Sequence, residues 1–239
     1  MIVYGKNVAR ETIENNKKII KAVVSKDFND KNLISLLQKR NISIEYVTKN
    51  EIDKIANEKN QGIILYIPDY EYCSLDELLV NEKPFLVILD HLEDPHNFGA
   101  IIRTCEAAGV DGIIIPKDRS VSVNSTVMKT SAGALNNVKI CMVTNLNNTI
   151  DELKNKGLWI VGTDMTDSVS YNELDYNIPV ALVIGSEGFG ISRLVREKCD
   201  YVVNIPMVGK INSLNASVAA GILIYKIFEK RNWCHVQRL

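Results

Sequence analysis

Six short apolar runs constrain this chain more than any other feature: Phe85 to Leu89, Gly112 to Ile115, Lys139 to Val143, Leu158 to Val161, Ala181 to Ile184 and Tyr201 to Ile205. None alternates cleanly between apolar and polar residues, and helical stretches separate most of them. Strands that hide both faces and connect through helices form a mainly parallel sheet. Open sheets of this kind bind ligands at the carboxyl ends of their strands. Two loops with special chemistry leave those ends. Ala181 to Ile184 runs straight into Gly185-Ser186-Glu187-Gly188-Phe189-Gly190, where three glycines permit torsions and close approaches denied to other residues. That pattern suits a ligand loop or an elaborate turn. Tyr201 to Ile205 stops at Pro206, and after a turn at Gly209 the segment Ser213-Leu214-Asn215-Ala216-Ser217 is predicted to open a helix running to about Lys230, with Ser213 as its cap. If the two strands are neighbours, the two loops enclose a small-molecule pocket.

The remainder divides around this sheet. Residues 1–70 read as a separate small α/β unit in which strands at Ile2 to Tyr4, Ile19 to Val24, Ile44 to Val47 and Gly62 to Ile67 alternate with helices, one announced by the capping box Thr48-x-x-Glu51. Residues 71–84 carry acidic residues and the capping box Ser74-x-x-Glu77, and read as a linker with a short helix. Residues 85–239 form the large domain. Its first helix, Gly99 to Ala108, places Phe98, Ile101, Ile102 and Cys105 on one face and Arg103 on roughly the opposite one, away from the core. The closing helix has apolar residues on several sides: Leu214, Val218, Ile222 and Tyr225 form one stripe, and Ala216, Ala219, Ala220, Leu223 and Ile227 fill others. So little polar surface implies burial, either inside the chain or in a homodimer interface.

Charge and cysteine usage exclude more than they assign. The net charge is −1, but residues 1–70 hold 12 lysines and arginines against 9 acids, while the rest is acidic. Lys17, Lys18, Lys21, Lys26, Lys31 and Lys39 are compatible with a phosphate-facing surface or with an ordinary solvated one. Five scattered cysteines without a CxxC pair support neither a disulfide framework nor a zinc site, and His91 and His96 lack a third ligand, so no metal is expected. No apolar run reaches the roughly 18 residues of a membrane span, and the amino terminus lacks a signal peptide's apolar stretch, so a cytoplasmic address is expected.

Three stretches, in this order, resemble the SpoU branch of the SPOUT RNA methyltransferases, which methylate ribose 2′-hydroxyls: Leu89 to Thr104 (LDHLEDPHNFGAIIRT), Ile184 to Gly190, and Ile205-Pro206-Met207 through Ser213-Leu214-Asn215-Ala216-Ser217-Val218. The opening Ile2-Val3-Tyr4-Gly5, the segment Asn60-Gln61-Gly62-Ile63 and Pro116-Lys117-Asp118-Arg119-Ser120 further resemble the subfamily that modifies a guanosine of large-subunit ribosomal RNA. The resemblance implies an α/β fold whose parallel-sheet domain carries a deep trefoil knot, preceded by a ribosomal-protein-like RNA-binding domain. It implies S-adenosylmethionine as cofactor, RNA and a second copy of the chain as partners, and a role for Gly185, Gly188, Gly190 and Gly209 where threaded backbones leave little room. Gly185, Ile205 and Leu214 would contact the cofactor, with Thr163 and Met207 as further candidates.

The resemblance also makes Arg103 the catalytic arginine. A guanidinium stays protonated, so stabilising a developing alkoxide or clamping a phosphate suits it better than acting as base. Without the resemblance Arg103 is an exposed helix residue paired with Glu106. Asn97 either caps the helix or holds the ribose and orients Arg103; Glu187 accepts from loop amides, binds Arg103 or is a turn residue. Capping explains Ser213, whereas Asn215, expected inside the first helical turn, points to substrate or loop contact. Transfer RNA is the alternative substrate. A non-catalytic ribosome-assembly factor is the alternative class, with no chemical reason to keep Asn97, Arg103, Glu187, Ser213 and Asn215 together.

Overall fold

The computed structural model describes residues 1–56, 60–210 and 213–236, the side chains of 232–236 excepted, and divides into two compact units, Met1–Glu71 and Tyr72–Leu239. Unit one contains β1 (Ile2–Tyr4), α1 (Lys6–Glu14), β2 (Lys21–Ser25), α2 (Lys31–Lys39), β3 (Ile44–Val47), α3 (Lys49–Ile55) and β4 (Ile63–Tyr66). Its sheet runs β1-β4-β2-β3, with β2 and β3 parallel and β4 antiparallel to both neighbours. The capping box forms: the backbone amide and hydroxyl of Thr48 donate to Glu51 Oε2 at 2.7 and 2.8 Å, which holds the Glu51 carboxyl below its usual range. Leu33 and Leu37 of α2 are fully buried, while Leu36 is half-buried.

Unit two is built on a seven-stranded, all-parallel sheet ordered β7-β6-β5-β10-β8-β11-β9. The strands are β5 (Phe85–Asp90), β6 (Gly112–Pro116), β7 (Ile140–Val143), β8 (Trp159–Thr163), β9 (Val169–Ser170), β10 (Val180–Gly185) and β11 (Tyr201–Asn204). The helices are α4 (Pro95–Ala107), α5 (Ser125–Thr130), α6 (Leu146–Asn155), α7 (Arg193–Lys198) and α8 (Ala216–Val236). Every residue of β5, β6 and β10 is buried, as runs without alternation require. Strand β10 lies between β5 and β8, with Gly185 opposite Asp90, so the loops that follow β5, β10, β8 and β11 leave one edge together. Among the described residues no helix is long and apolar enough to cross a membrane.

Of residues 71–84, expected to be a linker, 72–84 belong to unit two. The amide of Cys73 donates to the carbonyl of Ile140 at 3.0 Å, a single 3-10 turn spans Asp76–Leu78, and Leu78 is buried in the core beside Leu86 and Ile114. One leucine inserted at the right place fastens the whole stretch, a packing fact that composition does not carry. At the other end of the chain Arg231 is fixed by carbonyls: Nε donates to Tyr176 at 2.9 Å, Nη1 to Lys83 at 3.1 Å, and Nη2 to Pro84 and Ile178. These bonds tie α8 to the segments entering β5 and β10. The helix is not wholly buried. Ala220, Leu223, Ile224 and Ile227 are in the core, but Leu214, Val218 and Tyr225 of the predicted stripe are 38%, 50% and 48% exposed.

Candidate active site

Two cavities open at the carboxyl edge of the large sheet. The first, about 340 Å³, is lined by Thr163, Gly185, Ile205, Met207, Ser213 and Leu214, together with Val203 and Leu223. All five residues expected to contact a cofactor therefore border one space. Its walls are mostly strand ends and the first turns of α8, and the fit depends on Gly185. A Cβ there would lie 2.0 Å from the backbone carbon of Gly190 and 2.4 Å from the amide of Ile191, so only glycine lets the two segments close. Gly188 and Gly190 serve differently, adopting φ of 83° and 66° in a turn closed by reciprocal Ser186 and Gly190 backbone bonds of 3.1 and 3.0 Å. Gly209 has open space among the described residues where a methyl group would stand, and its φ is not left-handed.

The polar heart of the site is a junction of three segments distant in sequence. Asn97 Nδ2 donates to Glu187 Oε1 at 2.9 Å, Asn215 Nδ2 donates to the same oxygen at 2.5 Å and to Asn97 Oδ1 at 3.0 Å, and the amide of Ala216 reaches Glu187 at 3.3 Å. The carboxylate thus sits at the amino end of α8, where the helix dipole favours negative charge by roughly 0.3–1 kcal/mol. This arrangement locks α4, the glycine turn and α8 into one frame.

The caps differ from those expected, with consequences for the assignments. Asp94, not Asn97, caps α4, accepting from the amides of His96 and Asn97 at 3.1 and 3.2 Å, a contribution of about 1 kcal/mol. Asn97 is inside the helix, and its side chain is committed to Glu187 and Asn215. Conversely Asn215 is the cap of α8: its Oδ1 accepts from the amides of Ser217 and Val218 at 3.0 and 3.3 Å. The helix begins at Ala216 rather than Ser213, which is exposed and has no part in capping. Thr163 is partly engaged, its hydroxyl donating to Val183 at 3.0 Å.

Arg103 stands apart. It projects from the exposed face of α4, borders neither cavity, and has no hydrogen-bond or ion-pair partner among the described residues; Glu106, its expected partner, accepts from Asn137 instead at 3.1 Å. The second cavity, about 560 Å³, shares Ser186, Glu187, Phe189 and Gly190 with the first and is bordered by Asp90, His91, Asp94, Asn97 and Arg119. Asp90, His91, Arg119 and Phe189 received no role from sequence, although all lie within the stretches that carry the family resemblance. Their positions at neighbouring strand ends are set by β-sheet register. No group of three or more His, Cys, Asp or Glu side chains among the described residues is arranged to hold a metal ion.

Two family models match the chain. Residues 84–225 match the model of the SpoU rRNA Methylase family, and residues 2–73 match that described as RNA 2′-O ribose methyltransferase substrate binding. YacO of Bacillus subtilis, named as a TrmH family tRNA/rRNA methyltransferase, is 44% identical over 238 residues, covering 96% of each chain. Among solved structures, the SpoU methyltransferase AviRb from Streptomyces viridochromogenes, in complex with AdoMet, superposes with a TM-score of 0.77 at 24% identity, covering 97% of this chain and 90% of that one. An AdoMet-bound rRNA methyltransferase from Sinorhizobium meliloti does so with a TM-score of 0.75 at 25% identity, covering 95% and 85%.

Proposed function

The chain belongs to the SpoU rRNA methylase family, and from that premise we propose that it transfers a methyl group from S-adenosylmethionine to the ribose 2′-hydroxyl of a guanosine in large-subunit ribosomal RNA. The observation that carries this reading is the cavity in which Thr163, Gly185, Ile205, Met207 and Leu214 meet beside the Asn97, Glu187 and Asn215 junction. The space fits the cofactor: the apolar Ile205, Met207 and Leu214 suit the adenosine, and Glu187 and Ser213 in the same lining offer polar groups to its edges. When bound, S-adenosylmethionine supplies an electrophilic methyl carbon on a sulfonium, and no metal is required.

The protein's share is positioning and charge. The Asn97, Glu187 and Asn215 frame fixes the wall between the two cavities, so that a hydroxyl entering from one side is held in line with a donor on the other. Ser213, exposed on the cavity rim and without a hydrogen-bond partner among the described residues, bonds the substrate. Because Arg103 borders neither cavity of its own chain, in this reading it serves the site of the second copy in the homodimer, stabilising the developing alkoxide or a phosphate of the substrate there. Unit one, matched to a substrate-binding module, grips the RNA, and threading of the carboxyl-terminal segment through a preceding loop belongs to the same reading. The enzyme acts in the cytoplasm, beside the ribosomal RNA that this reading gives it as substrate.

With methyl-labelled S-adenosylmethionine and separated ribosomal and transfer RNAs, label should enter large-subunit RNA and be recovered in an alkali-resistant dinucleotide, since a 2′-O-methyl group blocks alkaline cleavage. Label confined to transfer RNA would move the substrate, as the tRNA/rRNA name of YacO allows; label in a base would sink the ribose reading. The half-exposed Leu214, Val218 and Tyr225 stripe is the proposed homodimer face. Native protein should sediment at twice the chain mass, and Val218→Asp should shift it towards the monomer; a native monomer would refute the assignment.

A further inference from the structure

The second cavity is built mostly from side chains committed to one another, with one cation, one carboxylate and one aromatic left over among the described residues. Asp90, 1% exposed, accepts from His91 Nδ1 at 2.5 Å and from the amide of Ser192 at 2.6 Å. Asp94 is occupied in capping α4, and Glu187 by Asn97, Asn215 and Ala216. Glu93 is the bordering carboxylate that has no such partner among the described residues. Arg119 is exposed and likewise unpartnered among them.

The backbone beneath two of these residues is strained. His91 and Arg119 have φ of 58° and 50°, in the left-handed region that disfavours residues other than glycine, and both face the same space from the ends of adjacent strands β5 and β6. Phe189 is the second anomaly. It is 93% exposed at the tip of the turn between Gly188 and Gly190, on the wall common to both cavities. A ring held in solvent by a closed turn, uncovered by any of the described residues, offers a flat apolar face to a partner.

Resting on the transfer reading above, we propose that this cavity receives the acceptor nucleotide, with Phe189 stacking on its base and Arg119 taking its phosphate. Aromatic stacking tolerates any base, and a guanidinium bonds phosphate in a fork. Asp90 holds His91 by Nδ1, which leaves Nε2 to the nucleotide. Because Phe189 and Glu187 border both spaces, a nucleotide seated here lies next to the donor, as an in-line transfer demands.

The test compares the full chain with Phe189→Ala, Phe189→Trp and Arg119→Ala. Binding of a large-subunit ribosomal RNA transcript is measured by filter retention at several salt concentrations in the presence of S-adenosylhomocysteine, and S-adenosylhomocysteine affinity is measured separately by calorimetry. Phe189→Ala should weaken RNA binding about 10-fold and Phe189→Trp should restore it. Arg119→Ala should weaken binding and reduce the logarithmic salt slope by about one. Arg119→Ala, whose residue borders only the second cavity, should leave the affinity for S-adenosylhomocysteine unchanged. Unchanged RNA binding and salt slope in both alanine variants would overturn the proposal, as would a Phe189→Ala protein that loses S-adenosylhomocysteine alone, since Phe189 would then belong to the donor cavity. A native chain that binds the RNA but does not methylate it would refute the transfer reading, while the ratios between variants would still decide the cavity. Native protein without affinity for the RNA would overturn both.

Discussion

Arg103→Ala should bind S-adenosylmethionine as the native chain does, melt at the same temperature, and lose methyl transfer by about 100-fold or more in kcat, the scale on which removing one preorganised charge-stabilising donor acts. The separation of effects follows from where the residue sits. Arg103 is on the exposed face of α4, whose opposite face buries Phe98, Ile101, Ile102 and Cys105, so truncation opens no cavity in the core. It borders neither cavity and breaks no ion pair among the described residues, so donor affinity has no reason to change. What remains is a charge on the surface that substrate RNA would cover. Arg103→Lys discriminates between modes of action: a lysine keeps the charge but not the planar fork, so a bidentate grip on phosphate or alkoxide would be rescued only in part. An Arg103→Ala enzyme with native kcat would remove the residue from the mechanism, whatever its effect on RNA affinity.

The parallel sheet was legible because burial on both faces leaves its mark directly in composition: each of the six apolar runs is a strand of the sheet. Strand β9 escaped because Val169 and Ser170 are too few to show any period. Local chemistry was legible too where the two partners are three residues apart, as in the Thr48 and Glu51 box and the Ser74 and Glu77 box. It misled where two candidate caps compete within a few residues. Asp94 precedes Pro95, whose fixed φ suits the first helical position, and this starts α4 before Asn97; Asn215 outranks Ser213 because its oxygen reaches both free amides. Exchanging those roles turns Asn97 from a cap into a frame residue. Glu187 meets Asn97 across 90 positions and Asp90 meets Ser192 across 102, and such partnerships exist only once the strands are in register. Family resemblance therefore singled out Asn97, Glu187 and Asn215 as candidates, while the bonds among the three exist only in the fold.

Gly185→Ala should abolish S-adenosylhomocysteine binding and lower stability by roughly 1–3 kcal/mol, the cost of overpacking a closed interior. The added methyl would meet main-chain atoms, the Gly190 carbon at 2.0 Å and its oxygen at 2.2 Å, which cannot rotate away as a side chain could. Relief requires moving the Ser186 to Gly190 turn, and Glu187 rides on that turn. Displacing it would pull the carboxylate from Asn97, Asn215 and the amide of Ala216, so damage at one glycine spreads to the frame joining α4 to α8. Gly188→Ala provides the comparison. Its methyl would meet nothing within 4 Å, and its cost comes only from φ of 83°, on the order of 1–2 kcal/mol for a left-handed non-glycine residue. The two variants should therefore lose comparable stability but differ in calorimetry with S-adenosylhomocysteine, Gly188→Ala retaining the affinity that Gly185→Ala lacks. Equal retention by both would show that the close approach at Gly185 does not shape the donor cavity, and equal loss would assign the effect to the conformation of the turn rather than to the space beneath it.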